Sequence, residues 1–299
     1  MHFPVQYDEP LFRPPSEGKS LIIQITLGCS WNECSFCEMY TSKRFKARKE
    51  EEVFKDIEAF SPYRDQISKI FLADGDPLVL STKRLLRILE KLKQTFPKLR
   101  RISTYASPGN LDRKSPAELL ELFDAGLTLL YVGIESGDDT VLEYIKKGET
   151  FKTVVDGLNK SKAVGMASSV MIINGVGGKH FTKQHAINSA MVLNETQPKY
   201  AATLVLTAHK GFEHFKTRLS PKIAVEFEML NQFELFNEMK LFMETLELDE
   251  TIFRSDHASN ILVLKGVLGK SKPQFLEQID FAINHPSLAN LRPKLYGGY

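Results

Sequence analysis

The chain contains very little cysteine, with only three among 299 residues. An odd number of thiols cannot pair completely, so a disulfide-stabilised secreted domain is not indicated. Long apolar runs are also missing, because the longest, such as LIIQITL, have the length of a strand and not of a membrane span. The first residues, MHFPVQYDEPLFRPP, carry acids and prolines where a signal peptide needs a basic start and an apolar run. We therefore expect a cytoplasmic protein that has no membrane partner.

A charge excess of either sign is missing as well. The formal net charge is +2, from 39 basic and 37 acidic residues, and this balance by itself neither indicates nor excludes nucleic acid. Basic residues do cluster between Lys83 and Arg101, but on a helix such residues usually form the solvated face. We do not expect nucleic acid as a partner, and we keep a phosphate-binding role of this helix as an alternative.

What the sequence does contain is a regular alternation of strand-length apolar runs and helical patterns. Strict alternation of this kind predicts a parallel sheet with helices packed outside it. We therefore predict an α/β fold, a partial (β/α)6 TIM-type barrel with a helical C-terminal extension. The six predicted strands are LIIQITL, KIFLAD, RISTYA, LTLLYVGI, ASSVMIING and YAATLVLTA.

The pattern changes beyond about residue 218. The segment PKIAVEFEMLNQFELFNEMKLFMETL repeats Phe, Leu and Met at helical spacing and predicts one long helix. An extended stretch follows, and then a last helix for which Ser271 is the expected N-cap and Pro273 lies in the first turn. We divide the chain into a core barrel with its N-terminal lead, residues 1–218, and an extension that closes the barrel, residues 219–299.

Polar and glycine-rich segments follow the predicted strands at their carboxyl ends. In a barrel of parallel strands these ends meet at one mouth, where active sites lie. We expect the segments to converge there. They are Cys29, Asp74–Pro77, Tyr105–Pro108, Glu135–Gly137 and Asn174–Gly178.

All the cysteines lie in one loop, GCSWNECSFCEMY, where Cys29, Cys34 and Cys37 form a C-x4-C-x2-C pattern. Three cysteines in such a short window favour metal binding over a disulfide. The same spacing begins the plant-type [2Fe–2S] pattern, which ends with a distant fourth cysteine. The chain has no fourth cysteine, so that pattern is incomplete.

Two kinds of metal site remain open for the three cysteines. A structural zinc site needs four protein ligands, so a distant histidine would have to complete it. The available histidines are His180, His209 and His257. A [4Fe–4S] cluster on three thiolates leaves one iron without a protein ligand, and an open coordination position is what catalysis requires.

Four features together resemble the radical S-adenosylmethionine (SAM) superfamily. They are the cysteine loop after the first strand, Phe36 before its last cysteine, the acidic GDP segment after the second strand and GIESG after the fourth. The resemblance is to the branch of oxygen-independent coproporphyrinogen oxidases and Elp3-like proteins, and it covers roughly residues 20 to 210. The usual family spacing is C-x3-C-x2-C, and a loop can absorb the extra residue. The whole chain also resembles a less characterised radical SAM group with this longer spacing.

The resemblance implies that the three cysteines hold a [4Fe–4S] cluster and that its open iron chelates the amino and carboxylate groups of SAM. Electron transfer into the sulfonium then gives a 5′-deoxyadenosyl radical that abstracts hydrogen from a substrate, with the cofactor carrying the chemistry. A reductase or a flavodoxin- or ferredoxin-type protein is implied as the electron donor. The expected substrate is an unidentified small or medium-sized molecule.

The resemblance also implies roles for the segments after the strands. The glycine-rich segment after the second strand is expected to accept hydrogen bonds from the SAM ammonium group. The glutamate of GIESG is expected to accept hydrogen bonds from the ribose hydroxyls. Lys147 is expected near the SAM carboxylate, although an exposed helix lysine is the commoner explanation of such a residue. The SAM-binding residues implied in this way are Phe36, Asp74, Gly75, Asp76, Pro77, Glu135, Ser136, Lys147, Asn174 and Gly175.

Two polar segments near the end of the chain are candidates for contact with substrate. One is TAHKGFEHF, which contains His209 and follows the sixth strand. The other is SDHASN, which contains Asp256 and His257 within an otherwise apolar stretch. We predict His209, Asp256 and His257 as candidate catalytic residues, and surface polar residues are the alternative interpretation.

The use of every cysteine in one cluster excludes a second Cys-ligated cluster. This argues against sulfur-inserting methylthiotransferases, against enzymes with auxiliary clusters and against methyltransferases that use cysteine as methyl carrier. The leading hypothesis is a radical SAM oxidoreductase. The alternatives are an RNA-modifying radical SAM protein and a non-catalytic metal-binding protein.

Overall fold

The computed structural model describes residues 4–293. The strands in this range are β1 (Leu21–Gln24), β2 (Thr26–Leu27), β3 (Lys46–Ala47), β4 (Lys69–Ala73), β5 (Arg101–Ala106), β6 (Leu127–Glu135), β7 (Ala167–Asn174), β8 (Tyr200–Val205), β9 (Ile252–Arg254) and β10 (Lys265–Val267). The α-helices in this range are α1 (Glu50–Ala59), α2 (Thr82–Thr95), α3 (Pro108–Arg113), α4 (Pro116–Asp124), α5 (Asp139–Tyr144), α6 (Phe151–Ala163), α7 (Gly178–Thr196), α8 (Phe212–Arg218), α9 (Gln232–Thr245) and α10 (Leu268–Asn284). None of these helices is both long and apolar enough to span a membrane.

Eight strands form one sheet in the order β1-β4-β5-β6-β7-β8-β9-β10. In this sheet β4 runs parallel to β1 and β5, β5 runs parallel to β6, and β8 runs parallel to β7 and β9. Strand β10 runs antiparallel to its neighbour β9. Parallel pairing follows from the helices that connect successive strands, because such crossovers return the chain in the same direction. Each of the six predicted strands is present, so the predicted α/β class is confirmed.

The described residues form two compact units. The first comprises residues 4–32, 37–132 and 159–168, and the second comprises residues 33–36, 133–158 and 169–293. The cysteine loop contributes to both, with Cys29 and Cys37 in the first unit and Cys34 in the second. The predicted division of the chain at residue 218 stays a prediction.

The core of the first unit follows directly from the sequence pattern. Strand β4 is buried at Ile70, Phe71 and Leu72, as expected for a parallel strand covered on both faces. Helix α2 buries one stripe at helical spacing, which includes Leu85 and Leu92. Full burial of each such side chain contributes about 1.5–3 kcal/mol to folding.

Helix α9, in the second unit, begins later than the sequence pattern predicts. The helix predicted over residues 221–246 is wrong in its first half, because only Gln232–Thr245 is helical. Asn231 caps the helix: its Oδ1 accepts from the Glu234 amide at 3.0 Å, and its own amide donates to the Glu234 carboxylate at 2.7 Å. This reciprocal capping box fixes the start of the helix. The preceding residues are irregular, and among them Phe227 packs against Phe215 with ring centroids 4.9 Å apart.

Helix α10 begins earlier than predicted, at Leu268, so the prediction of Ser271 as its N-cap is wrong. The first amides find backbone acceptors elsewhere in the second unit. Leu268 donates to the Thr251 carbonyl at 3.0 Å and Gly269 to the Asp249 carbonyl at 3.1 Å. These bonds satisfy the orphan donors of a helix start without a capping side chain. Pro273 therefore lies inside the helix and not in its first turn.

Candidate active site

Asp74 follows β4 in the first unit and is completely buried. Its carboxylate accepts hydrogen bonds from Gln24 Nε2 at 3.0 Å, the Gly28 amide at 3.0 Å and Lys43 Nζ at 3.1 Å. Burial raises the pKa of Asp74, and these donors oppose that effect. Asp74 thereby fastens the residue before Cys29 to the end of β4.

Asp76 is the second buried carboxylate of this loop. It accepts from Ser30 Oγ at 2.6 Å, from the Ser107 amide at 3.2 Å and from the side-chain amide of Asn110. Burial raises its pKa against the effect of these donors. Because Ser30 follows Cys29 in the chain, Asp76 holds the cysteine loop against the start of helix α3.

Gly75, between the two carboxylates, lies directly against Cys29. A Cβ atom at this position would be 2.9 Å from the Cβ of Cys29 and 2.9 Å from the ring of Tyr40, closer than side-chain atoms normally approach. The Gly75 amide donates to the carbonyl of Gly28 at 3.0 Å. Glycine is therefore required here because the loop after β4 and the cysteine loop touch through their backbones.

Tyr40 forms a buried wall beside this contact. Burial, and then the negative charges of Asp74, Cys29 and Cys37, raise its pKa. Its hydroxyl group is buried without a hydrogen-bond partner in the part of the chain that the structure describes. An unpaired buried hydroxyl costs free energy, and a polar group of a bound ligand would satisfy it.

Asp76→Ala provides a test of the tether to the cysteine loop. The variant leaves the buried donors of Ser30, Ser107 and Asn110 unpaired, so we expect the free energy of unfolding to fall by roughly 2–4 kcal/mol. Urea denaturation measures the change. The matched control is Asp65→Ala, whose side chain is 66% exposed and whose ion pair is 3.8 Å long; it should shift stability by less than about 1 kcal/mol. Equal effects of the two substitutions would show that Asp76 is not a tether.

Glu135, at the end of β6 in the second unit, has a backbone conformation that glycine usually takes. Its φ angle is 65°, which costs a residue with a side chain about 1–2 kcal/mol. The carboxylate folds back over Gly133, where a Cβ atom would lie 2.1 Å from Oε1 of Glu135. Backbone strain of this kind is concentrated at functional sites, where the surrounding structure maintains it.

Lys147 forms the ion pair that holds this carboxylate. Its Nζ donates to Oε1 of Glu135 at 3.2 Å, and the two side chains are only 13% and 12% exposed. Burial opposes the positive charge, but the negative charges of Glu135 and Cys34 outweigh it, so the pKa of Lys147 is raised. Nζ also lies 5.9 Å from the centre of the Phe36 ring. Four residues predicted from the sequence thus lie together in the second unit: Cys34, Phe36, Glu135 and Lys147.

Arg218, which the sequence motifs do not indicate, holds the cysteine loop in the second unit. Its guanidinium donates to the carbonyl of Cys34 at 2.8 Å, and its own carbonyl accepts from Ser35 Oγ at 2.9 Å. The Ser35 amide also donates to the carbonyl of Ile145 at 2.9 Å. A basic residue in the last turn of a helix is common, so nothing in the local sequence marks this one.

The carboxyl ends of β6 and β7 carry the remaining predicted SAM-binding residues. Ser136 is buried, and its hydroxyl lies 2.8 Å from Nδ1 of His185. Asn174 is also buried, and its Nδ2 has no hydrogen-bond partner among residues 4–293. The Gly175 amide donates to Glu238 at 2.6 Å. An acceptor atom of a bound nucleoside would satisfy the Asn174 amide group.

The three candidate catalytic residues lie near one another in the second unit. Although His257 is an exposed residue, partial enclosure of its ring lowers its pKa; the charge of His209 adds to this effect and that of Asp256 opposes it. Asp256 also pairs with Lys265 at 2.8 Å, and despite the opposing effect of burial its pKa is lowered. Both histidines are exposed. The charges of His209 and Asp256 therefore both act on the His257 imidazole.

The neighbouring part of the SDHASN segment has a structural role. Ser259 Oγ accepts from the Val205 amide at 3.0 Å, and Asn260 Nδ2 donates to the Thr203 carbonyl at 2.7 Å. These side chains continue the hydrogen bonding of the β8 edge beyond the end of β9. The polar residues of this segment are therefore explained in part by the sheet and not by substrate.

The side chains around the cysteine loop distinguish a zinc ion from an iron–sulfur cluster. Within the described residues, no three His, Cys, Asp or Glu side chains converge on one metal ion, and none of the cysteines is in a disulfide. A zinc ion requires such convergence, so a site completed by His180, His209 or His257 is not supported. A cubane cluster is bound through three different iron atoms, so its thiolates converge on the cluster but need not meet at one ion. Three partly exposed thiols on one loop fit that cluster.

A comparison with protein families agrees with this donor set. The model of the radical SAM superfamily matches residues 23–191, which is more than half of the chain. The chain belongs to the radical SAM superfamily. It is an enzyme of the radical SAM class, with a [4Fe–4S] cluster and SAM as its cofactors.

Two known proteins share part of the sequence. The heme chaperone HemW of Bacillus subtilis is 26% identical over 132 residues, which are 43% of this chain and 34% of that protein. An uncharacterized methyltransferase of Pyrococcus horikoshii is 24% identical over 192 residues, 64% of this chain and 40% of that protein. The matches thus span well under half of these relatives. The HemW similarity agrees with the coproporphyrinogen oxidase branch that the motifs indicated.

The fold is also found in solved structures. The coproporphyrinogen III oxidase HemN of Escherichia coli superposes with a TM-score of 0.57 at 16% sequence identity, over 75% of this chain and 52% of that chain. At this identity the similarity shows the fold alone. It agrees with the open order of the sheet, in which β1 and β10 are the outermost strands, as in a partial barrel.

Proposed function

We propose that this radical SAM enzyme is an oxidoreductase that reductively cleaves SAM and abstracts a hydrogen atom from a small or medium-sized substrate. The observation that carries the proposal is a group of neighbouring side chains in the second unit. Cys34 and Phe36 lie beside the ion pair between Glu135 and Lys147. When bound, the reduced cluster and SAM supply the 5′-deoxyadenosyl radical. The chain supplies the ligands, the orientation of SAM and the exclusion of water.

Cys29, Cys34 and Cys37 are the proposed cluster ligands. The loop of residues 74–77, which ends at Pro77, would receive the SAM ammonium through its backbone. The carboxylates of Asp74 and Asp76 are engaged by protein donors, so their role in the proposal is to hold this loop and the cysteine loop in place. Gly75 supports the close approach of the two segments.

Residues at the ends of β6 and β7 are proposed to bind the ribose and adenine of SAM. Glu135 would accept hydrogen bonds from the ribose hydroxyls. Its carboxylate accepts one hydrogen bond from Lys147 and has the capacity for more. Lys147 would neutralise the SAM carboxylate as well. Phe36, Asn174 and Gly175 would line the adenine, and Ser136 would fix the turn after Glu135. The buried Asn174 amide group supports this assignment.

The substrate side of the proposal rests on the exposed residues near the end of β8. His209, Asp256 and His257 would act there as acid, base or hydrogen-bonding groups for the substrate. The electron donor would be a reductase or a flavodoxin- or ferredoxin-type protein, and we propose that the enzyme works in the cytoplasm. The division into a core of residues 1–218 and an extension of residues 219–299 belongs to the same proposal.

A measurement of 5′-deoxyadenosine tests the proposed reaction. The protein is purified without oxygen, reconstituted with iron and sulfide, reduced with dithionite and incubated with SAM, and the product is quantified by mass spectrometry. We expect 5′-deoxyadenosine only when protein, reductant and SAM are all present. A protein with an intact cluster that neither binds SAM in a titration nor cleaves it would instead match the non-catalytic metal-binding alternative.

The structure does not favour the RNA-modifying alternative. Helix α2 was the alternative phosphate-binding surface, and several of its cations form ion pairs or hydrogen bonds within the first unit. Arg87 forms a bidentate pair with Glu50, Lys91 pairs with Glu58 at 2.6 Å and Lys93 donates to a backbone carbonyl. Phosphate binding would have to break these pairs before releasing counterions.

A further inference from the structure

A layer of buried polar side chains lies behind the ends of β6 and β7 in the second unit. Such groups are costly to bury and are seldom retained without hydrogen bonds that matter to the fold or the site. The two central residues are Glu238 on helix α9, which is 3% exposed, and His185 on helix α7, which is 1% exposed. Neither belongs to a motif that the sequence analysis recognised.

Glu238 connects helix α9 to the loop after β7. Its Oε1 accepts from the amide of Gly175 at 2.6 Å, and its Oε2 accepts from Thr182 Oγ1 at 2.6 Å. Both oxygens are therefore committed, one to the loop and one to helix α7. Because the carboxyl group is closely enclosed, burial raises the pKa of Glu238 to about 7. The hydrogen bonds from Thr182 and Gly175 oppose this effect.

His185 connects the ends of the two strands. Nδ1 lies 2.8 Å from Ser136 Oγ, next to Glu135, and the ring also forms a hydrogen bond with the backbone of Ile173, next to Asn174. Burial lowers its pKa to about 4, so the ring is neutral at pH 7 and offers one donor and one acceptor. Nε2 of the ring lies 3.9 Å from Oε1 of Glu238.

We propose that Glu238, together with His185, positions the loops after β6 and β7 for the nucleoside part of SAM, and that helix α9 thereby helps to form the cofactor site. The inference rests on the proposed function, because it takes Glu135, Asn174 and Gly175 as the residues that meet the nucleoside. Glu238 is a positioning residue: it contacts the backbone of the loop and reaches the ligand only through it.

Two substitutions separate this role from general stability. Glu238→Met removes both acceptors and leaves the Gly175 amide buried and unpaired. Glu238→Gln keeps them satisfied, because its amide oxygen accepts from Gly175 and its NH2 group donates to Thr182, whose hydroxyl accepts equally well. Met243→Ala is the matched control, since it removes a buried side chain of the same helix that offers Gly175 no acceptor.

The experiment measures binding and not turnover. The probes are 5′-methylthioadenosine, which carries only the nucleoside end, with protein that lacks the cluster, and SAM with reconstituted protein, both by calorimetry. We expect Glu238→Met to weaken both ligands about tenfold, as for the loss of one well-placed buried hydrogen bond. Glu238→Gln should remain within about twofold of the unaltered protein, and Met243→Ala should bind normally despite a lower melting temperature.

The outcomes distinguish the inference from the proposed function. Unaltered affinity in Glu238→Met, or an equal loss in Met243→Ala, overturns the role of Glu238 alone. If the unaltered protein binds neither probe, the proposed function fails and the inference fails with it. If Glu238→Met does not fold, Thr182→Val replaces it, since it frees one oxygen of Glu238; about threefold weaker binding supports the inference and normal binding overturns it.

Discussion

Replacement of Cys34 by alanine is expected to abolish both the cluster and the cleavage of SAM. Two thiolates cannot hold a cubane that already has one open iron, so the iron content and the visible absorption of the reconstituted protein should fall to background. Formation of 5′-deoxyadenosine should fall with them. Because Cys34 is only partly buried, the free energy of unfolding of the protein without cluster should change by less than about 1 kcal/mol.

The matched control is Glu33→Ala, whose exposed side chain precedes Cys34 in the same loop. It should keep full iron content and full activity. A Cys34→Ala protein that still binds about four iron atoms, the content of one cubane, would contradict the assignment of this cysteine as a ligand. Iron analysis and absorption spectra of both variants, reconstituted in parallel, give the answer.

Loss of either partner of the Glu135–Lys147 pair is expected to weaken SAM binding and to destabilise the fold. Lys147→Met leaves a largely buried carboxylate without its cation, and Glu135→Gln leaves the cation without its carboxylate. Each substitution should lower the free energy of unfolding by about 3 kcal/mol. The loss of a charge-assisted hydrogen bond to the ligand should weaken SAM binding roughly 10- to 100-fold.

The double variant separates the two effects. With both charges removed no unpaired ion is left, so stability should recover by about 2 kcal/mol relative to the sum of the single variants. SAM binding should stay at least as weak as in the single variants, because the groups that would meet the ribose and the SAM carboxylate are both absent. Recovery of SAM binding together with stability would show that the pair is purely structural. Urea denaturation and calorimetric titration of the three variants provide the measurements.

The strands and the cysteine loop were predictable because their signals are local. Apolar runs such as KIFLAD have the length and composition of buried parallel strands, and each predicted run contains a strand of the eight-stranded sheet, although LIIQITL is divided into β1 and β2. Three cysteines in nine residues indicate a metal group whatever the surrounding fold is. The pairing of Glu135 with Lys147 was less accessible, since the sequence suggested two separate contacts with SAM and not one ion pair between them.

The remaining features depend on contacts that are distant in sequence. The start of α10 is set by backbone acceptors at Thr251 and Asp249, so no capping residue marks it. The role of Glu238 depends on the amide of Gly175, 63 residues away in the chain. The start of α9 was different, because its capping box is local and was concealed by a Phe, Leu and Met pattern that continues into irregular backbone.

Three cysteine ligands would leave one iron of the cluster open, and we propose that SAM chelates it. Electron paramagnetic resonance of the reduced, reconstituted protein, with SAM labelled with 15N at its amino group, tests this claim most directly. We expect the cluster signal to change on addition of SAM and to show a hyperfine coupling to the labelled nitrogen. A reduced cluster whose spectrum is unchanged by saturating SAM and shows no nitrogen coupling would contradict the account.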